Sequence, residues 1–389
     1  MEFKLSKALN RLGTETAFKI LAEAKKLEAQ GKPMIHLSLG QPDFKTPKHI
    51  VEAAKKALDD GHHGYVMSNG ILECREAVVR KIKKLYNTSV DPERILIMPG
   101  GKPTMYFAIS CYGEPGTEII YPSPGFPIYE SMINYTGAKA VPYDLLEDKD
   151  LKFDPEKILS LINDKTKLLV LINPNNPTGS FVEKSKIDYL AEGLKKHPHV
   201  SILSDEIYSR LIFDGKEMPT FFNYPELRER LIVLEGWSKA YAMTGWRLGW
   251  SFWPEKLIDH VNKLLVNSVS CVNAAAQYAG IAALDGPDDS INMMMEKFTQ
   301  RRNLIHKLLN DLPGVECSLP GGAFYAFPKV IGTGMNGQEF AKKCMHEAGV
   351  AIVPGTSFGA NAQDYVRFSF AASRDNISQA LENIKKMLG

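Results

Sequence analysis

The stretch from residue 94 to 235 constrains the fold more than any other, because short apolar runs and helical patterns alternate along it almost without interruption. Runs of strand length lie at 94–98, 118–121, 138–142, 168–172, 200–204 and 231–235, and helical spacing fills 102–112, 126–136 and 183–196. Strands apolar on both faces must be covered on both sides. Alternated with amphipathic helices, they predict a mostly parallel sheet between two helical layers, an α/β fold.

The flanks read differently. Apolar residues recur at helical spacing over 16–30 until Gly31 stops them, a short strand fits 34–39, Gly40-Gln41-Pro42-Asp43-Phe44 reads as a turn, and a helix fits about 47–60. Beyond 290 come a long helix, strands at 314–319 and 323–328, a helix at 338–347, strands at 350–353 and 365–370, and a closing helix over 376–388. That is the texture of a smaller α+β unit. A length of 389 residues suits two or three domains at roughly 150 residues each.

Charge excludes some partners. The net charge is +2 with 24% charged residues, so no strong field favours nucleic acid or a membrane surface. Residues 1–7 lack the apolar core of a signal peptide, and no run approaches the ~18 apolar residues of a membrane span. Five cysteines, far apart and odd in number, suit reduced thiols and a cytoplasmic compartment. His62-His63 and His197-Pro198-His199 lack the spacing to chelate from one helix face, and no metal site is expected. Gly332-Thr333-Gly334-Met335-Asn336-Gly337 fits a dinucleotide fingerprint, but Pro328 and Lys329 interrupt the strand that should feed it. Ile352 stands where the ribose-binding acid belongs, so a plain glycine loop is expected.

Three motifs carry chemistry. Ser238-Lys239-Ala240-Tyr241-Ala242-Met243-Thr244-Gly245-Trp246-Arg247 sets a lysine and an arginine among small and aromatic residues. Charges in such a frame are paired or functional, or they snorkel from a strand entry. Upstream stand Asp205-Glu206-Ile207-Tyr208 at the end of an apolar run and the amide-rich turn Asn173-Pro174-Asn175-Asn176-Pro177-Thr178-Gly179. In this order and at these gaps the three motifs resemble the fold type I pyridoxal-phosphate enzymes, specifically class I and II aminotransferases of the aspartate, alanine and aromatic kind, along nearly the whole chain.

The resemblance implies a fold type I transferase with a large domain at 47–289, built on a mostly parallel seven-stranded sheet. It also implies a small discontinuous domain made of 1–46 and 290–389, and a homodimer with shared sites. It implies pyridoxal 5'-phosphate as cofactor, and an amino acid and a 2-oxo acid as substrates. Lys239 would hold the cofactor aldehyde as a Schiff base and then move the substrate proton. Asp205 would keep the pyridine nitrogen protonated, while Glu206 points to the other face in a structural role. Tyr208 and Asn176 match the two residues bonded to the ring oxygen, and Asn176 also adjoins the substrate. The phosphate would be met by Gly101 and Lys102 at a helix N-terminus, by Arg247, by Ser238 and by Tyr65 of the neighbouring subunit.

Arg367 matches the arginine for the substrate α-carboxylate, and Gly40 matches a backbone donor to it. No arginine lies between 247 and 301, so a distal carboxylate would fall to Lys102 or to hydroxyls such as Thr14 and Thr16. Two departures stand out: Gly236 replaces a serine or threonine three residues before the lysine, and Phe126 replaces the tryptophan stacked on the ring in aspartate-using relatives. The reaction implied is ping-pong amino transfer. The alternatives are a β-lyase acting on a sulfur amino acid and a non-catalytic cofactor-sensing module; the latter lacks room for a DNA-binding domain before Pro47.

Overall fold

In the computed structural model, which describes residues 4–389, apolar runs become fully buried strands wherever helices cover both faces. The chain begins with α1 (Thr16–Ala29), β1 (Ile35–His36), α2 (Lys48–Asp59) and α3 (Leu72–Tyr86). It continues through β2 (Ile95–Met98), α4 (Lys102–Tyr112), β3 (Glu118–Ser123), α5 (Ile128–Thr136) and β4 (Lys139–Asp144). Then come α6 (Pro155–Ser160), β5 (Thr166–Ile172), α7 (Lys184–Leu194), β6 (Ser201–Asp205), β7 (Leu231–Gly236) and β8 (Gly249–Phe252). Residues 1–3, which the sequence assigns to the small domain, lie outside the described residues.

These strands form a seven-stranded sheet in the order β2-β8-β7-β6-β5-β3-β4. β3, β4, β5, β6 and β7 run parallel, and β8 runs antiparallel to both its neighbours. The reversal has a simple cause. The segment 237–248 returns from β7 without a crossover helix, and a short return brings the chain back antiparallel. Sequence reading left β8 unassigned, because its four residues follow a stretch dominated by Lys239 and Arg247.

After the sheet come α8 (Ile258–Val269), α9 (Ala274–Asp285) and α10 (Asp289–Asn310). The chain ends with β9 (Tyr325–Ala326), α11 (Gly337–Lys343), β10 (Val350–Ala351), β11 (Val353–Pro354), β12 (Val366–Ser369) and α12 (Arg374–Leu388). β1 pairs in parallel with β10, and β11, β12 and β9 form an antiparallel set. An apolar cluster built from Phe298, Phe324, Phe340, Phe368 and Ile384 packs behind them.

The sequence expectations err in identifiable places. The strand at 314–319 is absent: Glu316 makes one isolated bridge to Lys329, and the side chain of Asn310 ties down Cys317 instead. The strands at 34–39 and 323–328 shrink to two residues each, and the helix at 338–347 ends as a π-turn over Cys344–Ala348. Helices α3 and α9 carry weak periodic signals. The buried stripe of α3 includes Arg75 and Lys81, which pair with Glu93 and Asp288. α9 is alanine-rich and largely buried, with little polar face to mark a period. The glycine loop at 332–337 is no nucleotide fingerprint: a 3-10 turn precedes it, and α11 opens on a capping box between Asn336 and Glu339.

Two glycines control how tightly the sheet closes near β2. Gly236 of β7 faces Gly249 of β8, and a Cβ on Gly249 would lie 2.7 Å from the backbone carbon of Gly100 and 2.9 Å from its oxygen. Backbone cannot yield there as a side-chain tip would. Gly249→Ala should therefore lower the unfolding free energy by about 1–3 kcal/mol, measured as a shift in the denaturant midpoint. A shift within about 0.5 kcal/mol of zero would mean the approach is not tight in solution.

Candidate functional site

Strand ends of an open α/β sheet leave a crevice at their carboxyl edge, and here that edge gathers most of the residues singled out above. A cleft of about 570 Å³ is lined by Gly40, Gly101, Lys102, Phe126, Asn176, Asp205, Tyr208, Ser238, Lys239, Arg247 and Arg367, together with Glu15, Phe18 and Tyr325.

Lys239 sits in the turn directly after β7. Its Nζ donates to the Gly40 carbonyl at 2.6 Å and stands 5.9 Å and 5.8 Å from the ring centroids of Tyr208 and Phe324. Burial pushes this amine down from 10.5 to about 8, helped by Arg367 and Arg247 and opposed by Glu15 and Asp205. The shift raises the share of uncharged amine near neutral pH, the form in which a lysine can act as a nucleophile.

Asp205 closes β6 and is only 2% exposed. Its two donors are neutral: the Tyr129 hydroxyl at 2.7 Å and the Ile207 backbone N–H at 3.2 Å. Burial raises its carboxyl to about 6 against the pull of those donors and of Lys239. A cationic nitrogen beside it would hold it ionised. Glu206, next along the chain, turns the other way, accepting from Ser204, Thr220 and the Phe221 N–H.

Arg367 of β12 is 3% exposed, lies between the rings of Tyr325 and Phe358 at 4.6 Å and 4.7 Å, and donates to Asn176 Oδ1 and the Ser38 carbonyl. Its Nε is buried without a partner among the described residues. Among the described residues no carboxylate pairs with this guanidinium, and a ligand carboxylate would satisfy both the charge and the orphan N–H. Gly40, expected as an N–H donor, contributes its carbonyl to Lys239; the side chain missing at Gly40 would collide with the Tyr325 hydroxyl.

At the opposite end of the cleft, Gly101 caps α4 and Pro103 occupies its first turn, so the helix presents backbone N–H groups. Gly100 adopts a left-handed conformation at φ +88°, and a Cβ there would strike the Arg247 guanidinium. Arg247 also donates from Nη1 to the Thr244 carbonyl at 2.7 Å. The bare backbone, the helix end, Ser238 and Arg247 make a cradle for an anion. Gly236 has no room for the missing hydroxyl, since a Cβ would sit 2.8 Å from Gly249 Cα.

Two expected residues lie elsewhere. Thr16, the first residue of α1, does not line the cleft, because Glu15 and Phe18 take that wall. Tyr65 is 92% exposed and outside the cleft of its own chain. Sequence reading missed four neighbours. Tyr129 holds Asp205, Tyr325 shares a 2.8 Å hydroxyl pair with Tyr208, and Glu15 and Phe18 flank Lys102. Tyr129 lies three residues after Phe126, but its partner is 76 residues away, beyond any local pattern.

Comparison with known proteins agrees with this geometry. The family described as aminotransferase class I and II matches residues 32–384. An aspartate aminotransferase of Bacillus subtilis is 35% identical, with 99% of each chain covered. A (5-formylfuran-3-yl)methyl phosphate transaminase of Methanocaldococcus jannaschii is 37% identical over 99% of each. The crystal structure of an aspartate aminotransferase from Rhizobium meliloti superposes with a TM-score of 0.94 at 31% identity, covering 100% of this chain and 99% of that one. The likeness runs end to end, and the chain belongs to the class I and II aminotransferases.

Proposed function

We propose that this aminotransferase holds pyridoxal 5'-phosphate in the cleft at the carboxyl edge of the sheet and uses glutamate with 2-oxoglutarate as one half of its cycle. A neutral or aspartate-like amino acid and its oxo acid would form the other half. The observation that carries the reading is Lys239, a half-buried residue whose amine is pushed down to about 8, in the same cleft as a buried acid and a buried, incompletely bonded arginine.

The residues fit the cofactor at three places. Arg247, Ser238 and the N–H groups at Gly101 and Lys102 would take the phosphate, Asp205 the ring nitrogen, and Tyr208 with Asn176 the ring oxygen, while Phe126 offers a ring face. Bound there, the cofactor supplies an electron sink for the carbanion left when the substrate loses its α-proton. Arg367 orients the substrate by its α-carboxylate, and Lys239 Nζ takes the proton from the α-carbon. Lys102 faces a distal carboxylate as a point charge, a role supported by relatives named for aspartate.

We further read 47–289 as the large domain and 1–46 with 290–389 as the small one, supported by the pairing of β1 with β10. We read the active form as a homodimer in which Tyr65 serves the neighbouring phosphate; its exposure outside its own cleft supports this. Reduced cysteines and the +2 net charge support a cytoplasmic setting; none of the described helices is long and apolar enough to cross a membrane.

Borohydride reduction of protein incubated with pyridoxal phosphate, followed by peptide mapping, should label the peptide that contains Lys239. Only the uncharged amine attacks an aldehyde, so the rate of capture should rise with pH to about 8 and then level off, rather than climbing toward 10.5. Label on another lysine, or a rate still rising above pH 9.5 or so, would remove Lys239 from this role. Asp205→Ala should leave labelling intact yet slow the amino acid half-reaction by about a hundredfold or more, read by single-turnover absorbance. Mixing Lys239→Ala with Tyr65→Ala subunits should restore activity in hybrids. If subunit exchange is shown and none returns, the sites are self-contained.

A further inference from the structure

Glu15 stands on the wall of the cleft beside Phe18, Lys102 and Phe126. Its Oε2 accepts from Lys102 Nζ at 2.7 Å. Glu15, Phe18 and Lys102 also line an adjoining cavity of about 560 Å³, with Leu12, Tyr106 and Met132 on its far side. The ion pair is therefore a partition between two spaces. Lys102 Nζ lies 5.8 Å and 5.7 Å from the ring centroids of Phe18 and Phe126, so the cation keeps aromatic neighbours when its carboxylate partner changes.

We infer that Glu15 sets the side-chain specificity of the cleft. Paired with Lys102 it presents a neutral wall to uncharged and aromatic side chains, and it gives Lys102 up when an acidic side chain enters. This rests on the reading that Lys102 faces the substrate side chain. Two features make the exchange feasible. The Lys102 side chain is 47% exposed and that of Glu15 20%, and a pair open to solvent on its cationic side is weak enough that a substrate carboxylate competes at a cost of about fivefold or less. The displaced carboxylate also has somewhere to go. Glu15 is the N-cap residue of α1, its side chain makes no cap bond, and the positive end of the helix lies beside it. Lys19, on the first turn of the same helix, lines the adjoining cavity.

The influence of Glu15 extends into the reacting region. Its charge favours the protonated forms of both Lys239 and Arg367. An acidic substrate would therefore meet an unfavourable like charge unless Glu15 swings away, whereas a neutral substrate meets none.

The test compares wild type with Glu15→Gln and Glu15→Ala, using aspartate and glutamate against leucine and phenylalanine. Both substitutions should raise the ratio of kcat/KM for acidic over neutral substrates by about three- to fivefold, chiefly through KM. Binding of succinate relative to 3-phenylpropionate, read by calorimetry, should shift in the same direction in the absence of turnover. A ratio within about twofold of wild type in both variants, or an equal gain for acidic and neutral substrates, overturns the inference. Wild-type glutamate turnover separately decides the substrate pairing proposed above, and the ratio for aspartate still reports on Glu15 if glutamate proves inert.

Discussion

The close backbone approach of Gly236, Gly249 and Gly100 is the constraint on which the rest of the site depends. Gly236 and Gly249 face one another across β7 and β8, and neither Gly249 nor Gly236 has room for a Cβ. Because β8 lies between β7 and β2, this contact brings three chain segments together. Lys239 leaves the end of β7, Arg247 leads into β8, and the N-terminus of α4 follows β2. A side chain inserted into the stack would separate Lys239, Arg247 and the N-terminus of α4, which line one cleft. Positioning chemistry on strand ends rather than on free loops keeps such groups in register.

Burial then divides the ionisable groups into two sets. On the cleft side, Asp205 rises to about 6 and Lys239 falls to about 8, so each sits near neutrality instead of being locked in one state. Beneath the same strand ends, Glu206 and Glu235 are both pushed up to about 7 by burial and are held by Ser204, Thr220 and Ser209. The alternation of a strand accounts for the split: consecutive residues face opposite ways, so Asp205 reaches the crevice and Glu206 the hydroxyl network. One dipeptide thereby serves both faces.

Much of this was legible in the sequence because local pattern and function coincide. The alternating stretch 94–235 fixed the central sheet, and Lys239, Asp205, Asn176, Arg247 and Arg367, spread over 192 residues by number, converge on one cleft. What escaped depended on distance or on masked periodicity. Arg75 and Lys81 hid the buried face of α3 by interrupting its apolar stripe, and each is neutralised by a partner outside that helix. Tyr129 and Tyr325 gain their roles only from contacts 76 and 117 residues away. Glu15 was passed over between Thr14 and Thr16, although its pairing with Lys102, 87 residues on, places it rather than Thr16 on the cleft wall.

The cleft's charge balance gives the segment after β1 a part in the site. Lys239, Arg247, Arg367 and Lys102 line one crevice with only Asp205 and Glu15 as acids. Such a surplus of cations attracts anions but also destabilises the empty site through mutual repulsion. The β1 region answers this with backbone: the Ser38 and Gly40 carbonyls accept from Arg367 and Lys239. Arg367 in turn is presented by β12, on the other side of the small antiparallel set. Both cations are thus tethered by the short segment that follows β1. The two carbonyl oxygens hold both side chains in place while leaving Arg367 Nε without a partner among the described residues.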